Sequence, residues 1–151
     1  MSGTADILRT PRRTRREESG RIMKSMTLVK AEVANPFDAS RHATLSFLLD
    51  SGTIYTAIPA ATLAALGIAP TGQRTFFLAN GQPVQRQIGE ARITFDGQSA
   101  TCVVLFGEAG DNTLLGVTTL ENLGLIFDPL RQKILPLPML LAEVRRMFGP
   151  P

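Results

Sequence analysis

A chain of 151 residues fits one domain, and 44% apolar with 19% charged residues is the composition of a folded protein, which excludes a chain disordered throughout. Its net charge of +3 is uneven: residues 1–24 hold seven basic side chains (Arg9, Arg12, Arg13, Arg15, Arg16, Arg21, Lys24) against Asp6, Glu17 and Glu18, leaving nine basic and ten acidic residues in a near-neutral body. A single cysteine, Cys102, and a single histidine, His42, exclude an internal disulfide and a histidine-built metal site.

Residues 1–25 are polar and Arg-rich, without apolar periodicity, and are expected to form a flexible basic arm ahead of a domain over 26–151. Mixed Arg/Glu runs are usually just solvated, so nucleic acid is not an expected partner. No apolar run approaches the ~20 residues of a membrane span, and the first residues lack the apolar stretch of a secretory signal. The expectation is a cytoplasmic protein without a membrane partner.

From Met26 the pattern is strand after short strand, punctuated by turn residues, which predicts an all-β or β-rich domain. Thr27–Ala34 is the first strand, turned by Asn35-Pro36 with Asp38. Ala43–Leu49 is an apolar strand running directly into Asp50-Ser51-Gly52, and Tyr55–Ile58 is another, closed by Pro59. Ala60–Leu66 should be a brief helix, since Ala and Leu favour helix and Gly67 suits a left-handed cap. Arg74–Leu78 and Val84–Phe95 flank Asn80-Gly81, a hairpin-turn dipeptide, and Asp96-Gly97 is a second such signal, leading into Ser99–Gly107. Asn112–Leu115 runs into Gly116, Val117–Leu123 is a second short helix ended by Gly124, and Leu125–Phe127 pairs with Lys133–Leu135. Met139–Phe148 has the apolar spacing of a terminal amphipathic helix. The order strand, Asp50-Ser51-Gly52, short helix is echoed by strand, Leu114-Leu115-Gly116, short helix, with an acid only in the first copy.

Asp50-Ser51-Gly52 takes its weight from its context: the apolar strand Phe47-Leu48-Leu49 before it, Thr53 and Ala57-Ile58-Pro59 after it, the Ala79-Asn80-Gly81 turn with Gly89 beyond, and Thr113-Leu114-Leu115-Gly116 followed by Leu120. Over about residues 45–136 this pattern resembles the retropepsin-like aspartic proteases. The bacterial single-lobe members and the eukaryotic DNA-damage-inducible proteases are more similar to it than the viral enzymes are. The resemblance implies a closed lobe of six to eight strands with one or two short helices, acting as a homodimer on an extended peptide or protein substrate, with no cofactor. It also implies that Asp50 is catalytic, that Ser51, Gly52 and Thr53 support its loop, and that Leu78, Ala79, Asn80 and Gly81 form a flap over the substrate.

The chemistry can be argued without the family. Peptide hydrolysis without a metal or a covalent nucleophile needs a base to activate water and an acid to protonate the carbonyl oxygen. Two adjacent carboxylates sharing one proton supply both, because like charges ~3 Å apart cannot both ionise. This chain offers one suitable acid, since Asp96, Asp111 and Asp128 sit in other contexts. A two-fold axis between two copies of Asp50 supplies the second, so dimerisation is a chemical requirement.

Gly52 lets the backbone turn tightly beside the acid. The Thr53 hydroxyl can donate to an ionised Asp50 or only satisfy a turn, and the sequence leaves both open. Tyr55 reads as a half-buried strand tyrosine before a pocket residue, and Cys102 as a small core hydrophobe. Two departures from the viral pattern stand out: Ile54 and Val117 occupy positions where viral members carry an Asp and an Arg that pair near the dimer interface. Both partners are absent together, so no orphan charge is left and a differently built interface is expected. The rival expectation is a catalytically silent relative that kept the fold and binds peptides or a protein partner.

Overall fold

Apolar residues alternate with polar ones through most of the chain, and there the backbone is extended. The computed structural model describes residues 7–9, 27–139 and 141. Among the described residues, ten strands and two short helices run in the order β1 (Ile7–Arg9), β2 (Thr27–Asn35), β3 (Asp38–Leu49), β4 (Thr56–Pro59), α1 (Ala60–Ala65), β5 (Gly72–Phe77), β6 (Pro83–Phe95), β7 (Gln98–Gly107), β8 (Leu114–Leu115), α2 (Val117–Asn122), β9 (Leu125–Asp128) and β10 (Lys133–Pro136). The chain is β-rich, as the alternation predicts.

Eight strands form one mixed sheet in the order β1-β2-β3-β8-β4-β7-β6-β5, and an additional β2–β6 pairing joins it back on itself. Strands β2, β3, β8, β4, β7 and β6 therefore make a closed ring, while β1 and β5 are appended at its edges. Closure removes the long open edges that would otherwise offer unpaired backbone groups. The two parallel contacts, β3 with β8 and β4 with β7, place β8 between β3 and β4.

Side chains on one face of each ring strand fill the interior with period two. Val29, Ala31 and Val33 from β2, Ala91, Ile93 and Phe95 from β6, and Cys102, Val104 and Phe106 from β7 belong to one buried cluster with Phe47, Ile58 and Leu115. The helices close the ends with Leu63 and Leu66 from α1 and its exit, and Leu120 and Leu123 from α2 and its exit. Both helices are six residues long, and each is followed by a glycine at positive φ, Gly67 at 75° and Gly124 at 77°, so the sequence echo is also a structural one.

Several boundaries differ from expectation. β3 begins at Asp38, not Ala43, because Pro36 and Phe37 alone make the turn: Asn35 pairs with Asp38, and the Asn35 side-chain oxygen accepts the Phe37 N–H at 2.8 Å. Asp96-Gly97 makes the tight β6–β7 turn, both residues at positive φ. Asn80-Gly81 does not make such a two-residue turn: only Gly81 has positive φ, and the Asn80 side-chain oxygen accepts the Gln82 N–H instead. Within the segment expected to be an arm, Ile7–Arg9 pair antiparallel with Val29, Leu28 and Thr27. The rest of that segment, and the terminal helix expected over Met139–Phe148 apart from Met139 and Leu141, lie outside the described residues. Among the described residues no helix is long and apolar enough to cross a membrane.

Candidate functional site

β3 ends at Leu49, and the next residue, Asp50, begins a turn exposed at the rim of the ring. Two hydrogen bonds shape that turn: Thr53 N–H donates to the Asp50 carbonyl at 3.1 Å, and Gly52 N–H donates to Asp50 Oδ1 at 2.9 Å. One carboxylate oxygen is thus fixed by its own loop. The other, Oδ2, has no hydrogen bond to a described residue, and Asp50 as a whole is exposed.

The turn is anchored from below by β8 and the start of α2. Leu48 and Leu49 pair with Leu114 and Leu115, so the strand before Asp50 lies beside the Leu114-Leu115-Gly116 strand. Helix α2 has no side-chain cap; its first two N–H groups, from Val117 and Thr118, donate to the carbonyls of Thr53 (2.8 Å) and Ile54 (3.1 Å). The helix start would otherwise leave those donors unpaired, so helix and turn complete each other. Thr53 therefore supports the site through its backbone, while the carboxylate bond comes from Gly52 rather than from the Thr53 hydroxyl.

Below this crossing lies a buried polar contact that the sequence did not reveal. Thr56 and Thr119 are fully buried, their hydroxyls are 2.7 Å apart, and Gly116 N–H donates to Thr56 Oγ1 at 3.0 Å. Replacing Thr56 by the similarly shaped valine leaves the buried Gly116 N–H unpaired. Thr56→Val is expected to lose about 1–3 kcal/mol of stability in urea unfolding. Thr119→Val should lose less, since it leaves the Gly116 bond in place.

Asp50 and Ser51 line a cavity of about 200 Å³ with Val117, Leu120, Glu121, Leu125, Ile126 and Phe127. Its walls are apolar apart from Asp50, Ser51 and Glu121, and Glu121 on α2 was not singled out from the sequence. The structure brings Ser51, Gly52 and Thr53 together with Asp50. Leu78, Ala79, Asn80 and Gly81 instead form the tip of the β5–β6 hairpin, closed by Leu78 N–H to Gln82 C=O at 2.9 Å and Gly81 N–H to Leu78 C=O at 2.8 Å. They do not line the cavity. Beside that tip Phe77 is 71% exposed, and beside the Asp50 turn Ile54 is 61% exposed.

Three other aspartates have local structural tasks. Asp96 sits in the β6–β7 turn, and the Asp128 side chain accepts the Leu130 and Arg131 N–H groups after β9. Asp111 accepts two bonds from Arg86, at 2.7 and 3.0 Å, and the Glu108 N–H at 2.8 Å, tying β6 to the loop ahead of β8. The Arg86 guanidinium beside it holds the Asp111 carboxyl below its ordinary value of 3.8, against the opposing effect of burial, with the Glu108 N–H helping. A depressed carboxyl stabilises the fold fully above pH 3.8 and loses that contribution as pH falls through the lowered value. Asp111→Asn is expected to cost about 1–3 kcal/mol at neutral pH and to flatten the stability profile below pH 3.8, as denaturant titrations across pH would report.

The β5–β6 hairpin also touches the loop beyond Asp50. Arg74 Nη1 donates to the Tyr55 hydroxyl at 2.8 Å, the guanidinium carbon lies 5.7 Å from the Tyr55 ring centre, and Phe76 meets that ring edge-on at 6.1 Å. Tyr55 is half-buried, as expected, but its two partners were not anticipated, because nothing in sequence spacing joins residues 55 and 74. Among the described residues no three His, Cys, Asp or Glu side chains are grouped as a metal site. No protein-family model matches the chain, and no curated protein matches it.

Proposed function

We propose that the chain is one half of an aspartic endopeptidase, in which two identical subunits each contribute Asp50 to a shared catalytic pair. The observation that carries this reading is the Asp50 turn itself. It presents an exposed carboxylate with one oxygen held by Gly52 N–H and the other available, on a loop fixed by α2 and β8. An exposed carboxylate with one oxygen fixed by its own turn and the other left without a partner among the described residues fits a reacting group better than a solubilising one.

In this reading the two Asp50 carboxyls share one proton. The ionised member takes a proton from water as the oxygen attacks the peptide carbonyl, and the protonated member gives its proton to the carbonyl oxygen. Collapse of the tetrahedral intermediate breaks the C–N bond: the leaving nitrogen takes a proton from the protonated member, and a hydroxyl of the intermediate returns its proton to the ionised one, which restores the pair. The β5–β6 hairpin, with Asn80 and Gly81 at its tip, closes over an extended peptide and excludes water. Ile54, Ile126 and Met139, all exposed and apolar, suit a surface covered by the second subunit.

The purified chain, incubated with a peptide library, tests the proposal. Specific activity should rise with protein concentration in step with the dimer fraction measured by mass in solution, and a pepstatin-type analogue should inhibit it. Peptides that bind without being cut at any concentration would favour the catalytically silent binding module. Glu121→Gln provides a further check, because Glu121 is the second carboxylate around the Asp50 cavity. The variant should keep its activity; its complete loss would move the second acid into the same chain and remove the need for a dimer.

A further inference from the structure

Arg74 and Arg86 are directly opposed across the β5–β6 hairpin, so their side chains leave the same face of the sheet. Like charges placed opposite one another destabilise a strand pair. Arg86 is compensated: Asp111 holds it with two bonds, and Glu108 lies 3.7 Å away. Arg74 is not, since it forms no ion pair with a described residue and is exposed. What it has is a neutral clamp, the Tyr55 hydroxyl at 2.8 Å and the Tyr55 ring face at 5.7 Å.

A clamp of that kind fixes the direction of a guanidinium without neutralising it. One donor is engaged by Tyr55, and the remaining N–H groups of the planar fork are left for an acceptor, with a geometry that matches a carboxylate. Its position connects the two parts of the candidate site: Tyr55 is five residues past Asp50, and Arg74 is four residues before Leu78 at the hairpin tip. The Arg74–Tyr55 contact joins the hairpin to the loop that follows Asp50, the two parts between which an extended chain lies on the proteolytic reading. We propose that Arg74, oriented by Tyr55, is a specificity-determining residue that receives an aspartate or glutamate side chain of the peptide substrate. The inference rests on the proteolytic reading above and adds the chemical class of one substrate side chain.

The test uses pairs of peptides cut by the wild-type protein, identical except for Glu or Gln at one position near the scissile bond. At one position the Glu peptide should be preferred by about tenfold or more in kcat/KM, a preference that weakens with added salt. Arg74→Gln should bring that ratio to about one, Arg74→Lys should leave it intermediate because the charge survives without the fork, and Arg74→Glu should reverse it in favour of a Lys peptide. A wild-type ratio near one at every position overturns the inference, and so does a preference that survives Arg74→Gln. A uniform loss on all peptides with the ratio intact would make Arg74 a packing residue and overturn it equally. Cleavage of every peptide by Asp50→Asn at the wild-type rate is a different failure: it removes the proteolytic reading, and this subsite with it.

Discussion

Asp50→Asn is expected to abolish peptide hydrolysis while leaving the fold unchanged. The amide keeps an acceptor oxygen for the Gly52 N–H, so the turn that holds residue 50 retains its bond, and the exposed side chain leaves no buried group unpaired. Stability should stay within about 0.5 kcal/mol of the wild type. An amide can neither take a proton from water nor share one with its counterpart, so both the acid and the base function are lost. The expected fall in kcat/KM is about 10³-fold or more, since acid–base groups that act as a unit are lost together. Progress curves on one peptide with equal amounts of folded protein measure it. Equal rates for the two forms would assign the cleavage to a contaminant or to another group.

Gly116→Ala is expected to produce the largest loss of stability among single substitutions around the site. A Cβ on residue 116 would overlap the Ile54 carbonyl oxygen and stand 2.5 Å from the Tyr55 carbonyl carbon. Those atoms are backbone, and they belong to the loop that leads from Asp50 into β4, so no rotamer change relieves the contact. Either the loop moves or β8 does, and both are tied by the Val117, Thr118 and Gly116 N–H bonds. Overpacking of this kind costs about 3 kcal/mol, which in a domain of this size lowers the melting temperature by roughly 10 °C. Because the strain falls on the Asp50 loop, activity should fall further than stability accounts for. A variant that melts with the wild type and cuts peptides as well would show that the close approach at Gly116 is not needed.

The features that sequence made visible are those written locally. Alternating apolar residues in 27–34, 84–95 and 99–107 predict strands because a half-buried strand has period two, and those three strands supply half of the buried core cluster. Asp96-Gly97 signals its turn through the positive φ that both residues take. The Asp50 turn was legible as a motif with an apolar strand ahead of it, and the pairing of that strand's Leu48 and Leu49 with Leu114 and Leu115 is consistent with the echo between the two halves.

What could not be read depends on contacts across the chain. The start of β3 was missed because Asp38, Ser40, Arg41 and His42 are polar, and its extension comes from the pairing of Asp38 and His42 with Asn35 and Ala34 of β2, not from local preference. β1 is invisible for the same reason: three residues in an Arg-rich segment become a strand only because β2 offers an edge. The Thr56–Thr119 contact joins residues 63 apart, and the Tyr55–Arg74 contact joins residues 19 apart on different elements. Gly116 looked like the end of a turn motif, but its requirement for no side chain comes from the loop passing over it.

The measurement that bears most directly on a pair of Asp50 carboxylates from two chains is activity in mixtures of wild-type and Asp50→Asn protein, after the subunits have exchanged. If each active unit needs Asp50 from both members, activity follows the square of the wild-type fraction, and an equal mixture retains about a quarter of the all-wild-type rate. Activity that falls in direct proportion to the wild-type fraction, with about half left in the equal mixture, would mean that each chain works with its own Asp50 alone, and the shared pair would have to be abandoned.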